Sequence, residues 1–207
     1  MFQFDKKRLS IFVKALTRLA EPDHTWVSFQ LLSTEEITSL IAISEIQRFR
    51  EASREVGSSK NRVFQDFQVC FPAPRIDAIE RLAKLLEIGF YRAGKSMSIQ
   101  PFERCFKFND FAIQRYAPGS RGIGVHRDGL RYKHIVVIVN LSGNSKLFAC
   151  KDRGGGGRIV INDRPGRIVL LSAPKFAGRA DMTARPLHGV DNIRGGRLSL
   201  GLRVEEN

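Results

Sequence analysis

The segment from Gly124 to His134 contains the side chains whose types and spacing point most directly to chemistry. Its sequence, GVHRDGLRYKH, places His126, Asp128 and His134 within nine positions of one another. Imidazole nitrogens and carboxylate oxygens are common ligands of divalent metal ions. The segment therefore predicts a metal site, and the first question is which of the three side chains bind the metal.

His126 and Asp128 are predicted to bind the same ion, because residues two apart on a β-strand point to the same side. His134 follows the residues GLRY and is expected at the start of the next strand, past a turn. A third ligand has to approach from another direction, which favours a distant residue on a neighbouring strand. The chain has four histidines. His24 lies beside a proline in a loop, so His134 and His188 remain as candidates.

The residues that follow His188 favour it over His134. The stretch from Asp191 to Gly196 has turn composition, which predicts a hairpin between the His188 strand and a strand beginning at Arg197. One face of that second strand carries Leu198, Leu200, Leu202 and Val204, and the other carries Arg197, Ser199, Gly201 and Arg203. Buried charge is costly unless it is paired. An inward-facing polar row therefore predicts an anionic ligand inside a β-barrel.

Two histidines and one carboxylate on adjacent strands form the facial triad of non-haem Fe(II) oxygenases, which leaves coordination positions open for a cosubstrate and O2. A second polar row lies upstream in FAIQRYAPG, where Gln114 and Tyr116 share one face. Each motif alone carries little weight, since a lone HxD is usually coincidence and Arg-x-Ser is usually a surface row. Together, in order and at strand spacing, they predict an iron site facing an anion-binding wall.

The order of these motifs resembles the 2-oxoglutarate- and Fe(II)-dependent dioxygenases: HxD at His126, a distal His-Gly at His188, and then Arg-x-Ser at Arg197. Within that superfamily the segment QRYAPGSRGIGVHRD is similar to the AlkB-type dioxygenases, whose corresponding stretch reads Asn-x-Tyr, a Pro/Gly turn and HxD. Arg203, six residues after Arg197, matches that pattern too. The resemblance covers residues 108–204, about half of the chain.

The resemblance implies a role for each matched position, with Fe(II), 2-oxoglutarate and O2 as cofactor and cosubstrates. Iron would be held by His126, Asp128 and His188. The cosubstrate 2-oxoglutarate would be bound by Arg197, Ser199, Tyr116, Gln114 and Arg203. Arg197 would pair with the distal carboxylate, which its planar guanidinium matches. Gln114 and Ser199 stand where asparagine is usual or common in AlkB-type enzymes, and both keep hydrogen-bonding ability.

Three residues beside the HxD motif are candidate substrate contacts. His134 is expected to be a strand-entry residue near the mouth of the site rather than a ligand, and Arg131 and Tyr132 flank the same mouth. Many AlkB-type enzymes place an acidic residue two positions past the iron-binding aspartate to read a base. This chain has Leu130 at that position.

A β framework has to hold these side chains, and the sequence predicts one from about residue 106. Short alternating segments are separated there by Gly, Pro and Asn, which is typical of an all-β sandwich or barrel. The predicted strands are Phe111–Tyr116, Gly122–Arg127, His134–Leu141, Lys146–Cys150, Arg158–Ile161, Arg167–Ser172, Pro186–Val190 and Arg197–Val204. Eight short strands fit a jelly-roll, or double-stranded β-helix.

Residues 1–105 are predicted to be mainly helical. Apolar residues recur at helical spacing within residues 6–21 and 74–94, and Ser33 forms a capping box with Glu36 at the start of a third helix. The aromatic segment RVFQDFQVCF predicts a strand between the helices. The fold class is therefore α+β, with one domain in which an N-terminal helical layer (1–105) supports a jelly-roll catalytic core (106–204).

The net charge is +13, and all of the imbalance lies in the predicted β half. Residues 104–203 contain 19 Lys and Arg against 6 Asp and Glu, whereas the charges of the remaining residues cancel. Such asymmetry favours an anionic partner, either nucleic acid or a small acidic substrate, although a solvated basic surface would look the same. A small-molecule or amino-acid hydroxylase and a non-catalytic basic binding module remain as alternatives.

The expected compartment is the cytoplasm. Three widely spaced cysteines argue against a disulfide framework. The chain begins without a secretory signal, and its apolar runs fall far short of the ~20 residues that span a bilayer. No membrane association is therefore predicted.

Overall fold

The computed structural model describes residues 2–59, 61–98, 100–102, 106–180 and 184–206. Within these residues lie the helices α1 (Lys6–Ala20), α2 (Thr34–Glu45) and α3 (Asp77–Lys95), and a short 3-10 turn at Phe176–Gly178. The N-terminal half also forms the strands β1 (Trp26–Gln30), β2 (Arg50–Glu51), β3 (Glu55–Val56), β4 (Val63–Asp66) and β5 (Gln68–Cys70). This half is thus less purely helical than the sequence predicts.

The eight strands expected in the second half are all present. They are β6 (Asp110–Tyr116), β7 (Gly122–His126), β8 (Tyr132–Gly143), β9 (Lys146–Cys150), β10 (Ile159–Ile161), β11 (Arg167–Ser172), β12 (Leu187–Asp191) and β13 (Arg197–Glu205). Every end lies within two residues of its predicted position, because alternating apolar residues and turn residues mark these strands clearly.

The strands form two antiparallel sheets, as expected for a jelly-roll. The major sheet has the order β1-β11-β8-β13-β6-β5-β2, and the minor sheet has the order β10-β9-β12-β7-β4-β3. The predicted hairpin between β12 and β13 is wrong, since β12 pairs with β7 and β9 while β13 pairs with β6 and β8. The intervening residues cross between the sheets, and backbone bonds from Gly119 to Ile193 and from Arg194 to Asn144 fix the crossing.

The helices cover the outer face of the major sheet. Buried residues of α1 and α3, among them Phe12, Leu16 and Leu86, join one core with the leucines of β13 at positions 198, 200 and 202. The apolar face of β13 therefore belongs to the core. A second, smaller core lies between the two sheets and includes Val136, Leu147 and Val190. The site described below opens into this second core.

The aromatic segment predicted as one strand forms two. β4 joins the minor sheet beside β7, and β5 joins the major sheet beside β6, so the chain changes sheet at Phe67. The capping box of α2 is present, with Ser33 accepting from the Glu36 amide and Glu36 accepting from the Ser33 amide. Cys70 and Cys150 are free thiols, and Cys105 lies outside the described residues. Within those residues, no helix combines the length and apolar character needed to cross a bilayer.

Candidate functional site

The structure brings His126, Asp128 and His188 together at one end of the minor sheet. β7 and β12 are neighbours, and His126 lies directly opposite His188 in their register. The ligand atoms of the three side chains all lie within 4.8 Å of one another, and Asp128 Oδ2 is 3.6 Å from His188 Nε2. Asp128 follows the end of β7, two residues after His126. The described residues contain one such cluster of potential metal ligands, and it is the predicted one.

Backbone carbonyls orient both imidazole rings. His126 Nδ1 lies 2.9 Å from the Gly124 carbonyl oxygen, and His188 Nδ1 lies 3.2 Å from the Pro186 carbonyl oxygen. A carbonyl can only accept, so each Nδ1 is the donor in these contacts, and in the neutral ring Nε2 is then the nitrogen that keeps its lone pair. This arrangement is the usual one for metal-binding histidines, in which the second ring nitrogen is tied to the protein.

The protonation states also suit a metal. Burial, together with the adjacent His188 ring, lowers the pKa of His126 to about 4. Burial alone would raise the pKa of Asp128, but the nearby His188, His126, Arg203 and Arg185 outweigh it and lower this pKa. At neutral pH the pair is thus a neutral imidazole and an ionised carboxylate, which are the forms that bind cations. Two nitrogens and one oxygen match the donor set of Fe(II) in the facial triad.

A cavity between the sheets joins this cluster to the polar row of β13. Its lining contains the three ligand residues together with Gln114, Tyr116, Arg197, Ser199 and Arg203. In the register of β13 and β6, Arg197 lies opposite Tyr116 and Ser199 lies opposite Gln114. All eight residues that the sequence analysis assigned to iron and to 2-oxoglutarate therefore line one cavity. The polar row faces inward, as its alternation with the leucines requires.

Arg197 has a buried partner that the sequence did not reveal. Its Nη1 donates to the carboxylate of Asp163, in the loop between β10 and β11, and to Ser145 Oγ at 2.7 Å. Its Nε is buried and has no hydrogen-bond partner among the described residues. Buried N–H groups are almost always satisfied. A carboxylate in the cavity would satisfy this one, so the residues fit a dicarboxylate cosubstrate.

Tyr116 and Gln114 extend the same wall. The Tyr116 hydroxyl donates to Gln114 Oε1 at 3.1 Å. Burial raises the pKa of Tyr116, although the charges of Arg197 and Arg203 oppose that effect. The hydroxyl therefore stays protonated and serves as a hydrogen-bond donor.

The predicted substrate residues separate into two groups. Arg131 and Tyr132 line a cleft next to the cavity, and that cleft also includes Gln114 and Arg203. His134 does not reach it. Its side chain is 1% exposed, stacks on Phe106 with ring centroids 5.3 Å apart, and places Nε2 3.4 Å from Glu206.

A bulge explains the position of His134. β13 pairs Arg203 with Val136 but Val204 with Lys133, so β8 has two extra residues at this point. His134 has a φ of 65°, and its backbone bonds to Pro174 and Ala173. Bulges redirect side chains in this way. His134 was predicted near the mouth of the site as the first residue of the strand after a turn, and the sequence carries no clear signal of the bulge that redirects its side chain.

Two arginines that no sequence pattern predicted connect the segments that carry the candidate metal ligands. Arg185 donates through Nη1 to the Asp128 carbonyl oxygen, and Arg127 donates through Nε to the Arg185 carbonyl oxygen at 3.0 Å. Asp128 lies beyond the regular pairing of β7, so these reciprocal bonds hold its backbone against the segment that leads to His188. Arg185 is buried. The one sequence signal for it is a basic residue three positions before a candidate ligand.

Replacing Arg185 with methionine should therefore weaken metal binding about tenfold, the scale typical of residues that orient ligands. Methionine retains the unbranched stem of the side chain but cannot bond the Asp128 carbonyl, so Asp128 loses its fixed position. Anaerobic titration with Co(II), followed by its visible absorption, measures the affinity. Arg153→Met, in the exposed loop after β9, is the matched control and should bind Co(II) as the wild type does. Equal affinities in all three proteins would contradict this assignment.

Comparison with solved structures finds the same fold in oxygenases. A prolyl hydroxylase from Trichoplax adhaerens, solved with a hypoxia inducible factor oxygen degradation domain peptide fragment, is 13% identical, with a TM-score of 0.68 over 99% of this chain and 94% of that one. An oxidoreductase of the 2OG-Fe(II) oxygenase family from Burkholderia pseudomallei is 13% identical, with a TM-score of 0.58 over 97% and 91%.

The structure of OsALKBH1 is also similar, at 12% identity and a TM-score of 0.56 over 87% of this chain and 98% of that one. No protein-family model and no curated protein matches the sequence. The comparisons therefore establish the fold: this chain is built like the 2-oxoglutarate and Fe(II) oxygenases, with a jelly-roll core. The activity has to be argued from the site.

Proposed function

We propose that this protein is an Fe(II)- and 2-oxoglutarate-dependent dioxygenase that hydroxylates, or oxidatively demethylates, its substrate. One observation carries the proposal: the His126, Asp128 and His188 cluster and the Arg197 row face each other across a single cavity. A binding module would have no need of a buried metal site opposite a buried arginine. A zinc-dependent hydrolase would not require the row of polar residues around Arg197 that is suited to a dicarboxylate.

Each residue then has a defined task. His126, Asp128 and His188 hold the iron, which together with 2-oxoglutarate and O2 supplies the oxidation of an unactivated C–H bond, with release of succinate and CO2. Arg197 binds the distal carboxylate of 2-oxoglutarate through the edge that carries its unpaired Nε, with Ser199 and Tyr116 beside it. These assignments are supported by the shared cavity and by the buried, unsatisfied N–H.

The remaining wall residues bind the other end of the cosubstrate and limit the access of water. Gln114 and Arg203 line the same cavity, and the charge of Arg203 acts on Asp128. These two residues are proposed to contact the carboxylate that chelates iron. Apolar side chains from both sheets, Ile123, Val136, Leu147 and Val190, fill the space around the polar groups. Such a lining strengthens the electrostatic contacts to bound carboxylates and disfavours side reactions with water.

For the substrate we propose nucleic acid or a nucleotide, with a small acidic molecule or an amino acid as the second candidate. The excess positive charge of residues 104–203 supports the first. Leu130 supports the second, because it is 47% exposed at the position where an acidic base-reading residue would stand. The proposed compartment is the cytoplasm, which the free thiols of Cys70 and Cys150 support.

Succinate release measures both the reaction and the choice between these substrates. If nucleic acid is the substrate, methylated single-stranded oligonucleotides should stimulate succinate formation, and their binding should weaken steeply as salt rises because counterions are released on binding. Unmethylated oligonucleotides of the same sequence are the control. Absence of binding at low salt, together with absence of stimulation, would exclude nucleic acid and direct the search to small acids and amino acids.

A further inference from the structure

A second cleft, of about 260 Å³, opens beside the metal cavity and shares Gln114 and Arg203 with it. A molecule bound in this cleft could therefore extend one end toward the metal cluster. The cleft follows the surface of the major sheet from β8 and β13 across β6 and β5 to β2. β2 lies three strands beyond β13, which corresponds to roughly 14 Å at the usual spacing of strands.

The end of the cleft near the metal carries charges that are already paired. Arg203 lies 2.7 Å from Asp110, and Arg131 lies 3.1 Å from Glu205. Tyr132 lies between them, since its hydroxyl donates to Asp110 at 3.2 Å and accepts from Arg131 at 2.7 Å. Two cations and two anions cancel here, so this end attracts neither a cation nor an anion strongly.

The other end carries an arginine without a partner. Arg50 on β2 is exposed, and no carboxylate among the described residues lies within salt-bridge distance of it. Two acidic residues close to it in sequence are engaged elsewhere: Gln68 donates to Glu51 at 2.7 Å, and Arg62 lies 3.5 Å from Glu55. Of the described residues that line the cleft, none is acidic. Arg50 therefore gives this end a net positive charge.

Polar and apolar groups surround Arg50. Ser53 and Gln65 line the cleft, and neither side chain has a hydrogen-bond partner within the described ranges. Phe67 and Val69 provide an apolar floor beneath them. A free guanidinium beside a hydroxyl and an amide is suited to a carboxylate or a phosphate, and the floor is suited to an apolar body attached to it.

We propose that this cleft binds the substrate and that the substrate carries an anionic group, carboxylate or phosphate, which pairs with Arg50. The inference rests on the proposed function, because it takes the metal cavity as the place of reaction. The substrate would then be an elongated molecule, with its reactive carbon at the metal end and its anionic group roughly 14 Å away at β2. Arg50 is assigned to recognition of the substrate and not to the chemistry.

Two pairs of probes test the proposal, and the members of each pair differ in one anionic group. Adenosine 5′-monophosphate is compared with adenosine, and N-benzoylglycine with its amide. Binding to the protein loaded with Fe(II) and 2-oxoglutarate is measured anaerobically by calorimetry for wild type, Arg50→Ala and Arg50→Glu. Arg48→Ala is the matched control, because Arg48 is exposed two positions away and lines only the neighbouring groove, which Arg50 also borders. An effect of Arg48→Ala as large as that of Arg50→Ala would place the anion in that groove and not in the cleft.

In at least one pair, the anion should bind more tightly than its neutral partner. Arg50→Ala should weaken that binding about fivefold and Arg50→Glu more, as expected for a partly exposed ion pair, while Arg48→Ala has no effect. If the affinity for adenosine 5′-monophosphate depends on Arg50, the anionic group is a phosphate. If the affinity for N-benzoylglycine depends on Arg50, the group is a carboxylate. The proposal would be overturned by any of three results. The charged and neutral members of both pairs could bind equally, neither anion could bind measurably, or Arg50→Glu could leave the affinity for the anions unchanged.

A separate measurement distinguishes an error in this inference from an error in the proposed function. The visible band of the complex with Fe(II) and 2-oxoglutarate depends on the cavity and not on Arg50. If the band forms in wild type and in Arg50→Glu but the anions bind without regard to Arg50, only the assignment of the cleft is wrong. If wild type forms no band at all, the proposed function is wrong.

Discussion

Replacing His188 with alanine should abolish the visible charge-transfer band that forms when Fe(II) and 2-oxoglutarate are added without oxygen. The change removes one of three protein ligands whose donor atoms lie within 4.8 Å of one another, and two ligands do not make a facial triad. Anaerobic absorption spectroscopy measures the band, and thermal unfolding verifies that the variant is folded. We expect complete loss of the band with little loss of folded protein.

His134→Phe is the control for this experiment. His134 packs against the rings of Phe102 and Phe106, so an aromatic replacement retains the packing while it removes both ring nitrogens. The band should form in this variant as in the wild type. If His134→Phe lost the band and His188→Ala retained it, the assignment of the third ligand would be wrong.

The second large effect is expected at Arg197. Without its guanidinium the distal carboxylate of 2-oxoglutarate is left unpaired in a buried site, a loss that typically costs ~2–5 kcal/mol. The affinity for 2-oxoglutarate should therefore fall about tenfold or more in Arg197→Ala, with metal binding retained. Arg197→Lys should restore part of the affinity, because an ammonium supplies the charge but not the two-pronged geometry. Titration of the metal-loaded protein with 2-oxoglutarate measures both.

Asp163 requires a further control. Arg197→Ala also leaves the buried carboxylate of Asp163 without its partner, which by itself can destabilise the protein. The double variant Arg197→Ala, Asp163→Asn removes that unpaired charge. It should be more stable than the single variant and bind 2-oxoglutarate no better. Recovery of cosubstrate affinity in the double variant would show that the loss came from the fold and not from the missing contact.

The cluster of three candidate ligands and the polar row that faces it could be predicted from the sequence because they depend on local patterns. Alternation along β13 separates Arg197 and Ser199 from the leucines, and the two-residue spacing brings Asp128, just past the end of β7, to the same side as His126. A strand holds such relations regardless of its neighbours. His188 was identified through the residues that follow it, and the structure places it opposite His126.

Relations between distant segments could not be predicted in the same way. The turn composition at residues 191–196 indicated a change of direction but not the sheet that the next strand joins, so the prediction of a β12–β13 hairpin was wrong. Asp163 pairs with Arg197, and Asp110 pairs with Arg203, although the partners are far apart in the sequence. No sequence pattern near either arginine predicts its partner. β1 was missed because its five residues lack a clear alternation of buried and exposed positions.

The place of β13 in the major sheet has a consequence for biosynthesis. β13 lies between β8 and β6, although it follows both in the chain. Until the ribosome has translated β13, the edges of β6 and β8 that will later pair with it have no partner strand. Unpaired strand edges can form incorrect pairs with other strands. Arg197 and Arg203 arrive on the same strand. A translation product that stops before residue 197 therefore has neither a closed sheet nor the arginines of the proposed cosubstrate pocket, and we expect such chains not to bind 2-oxoglutarate.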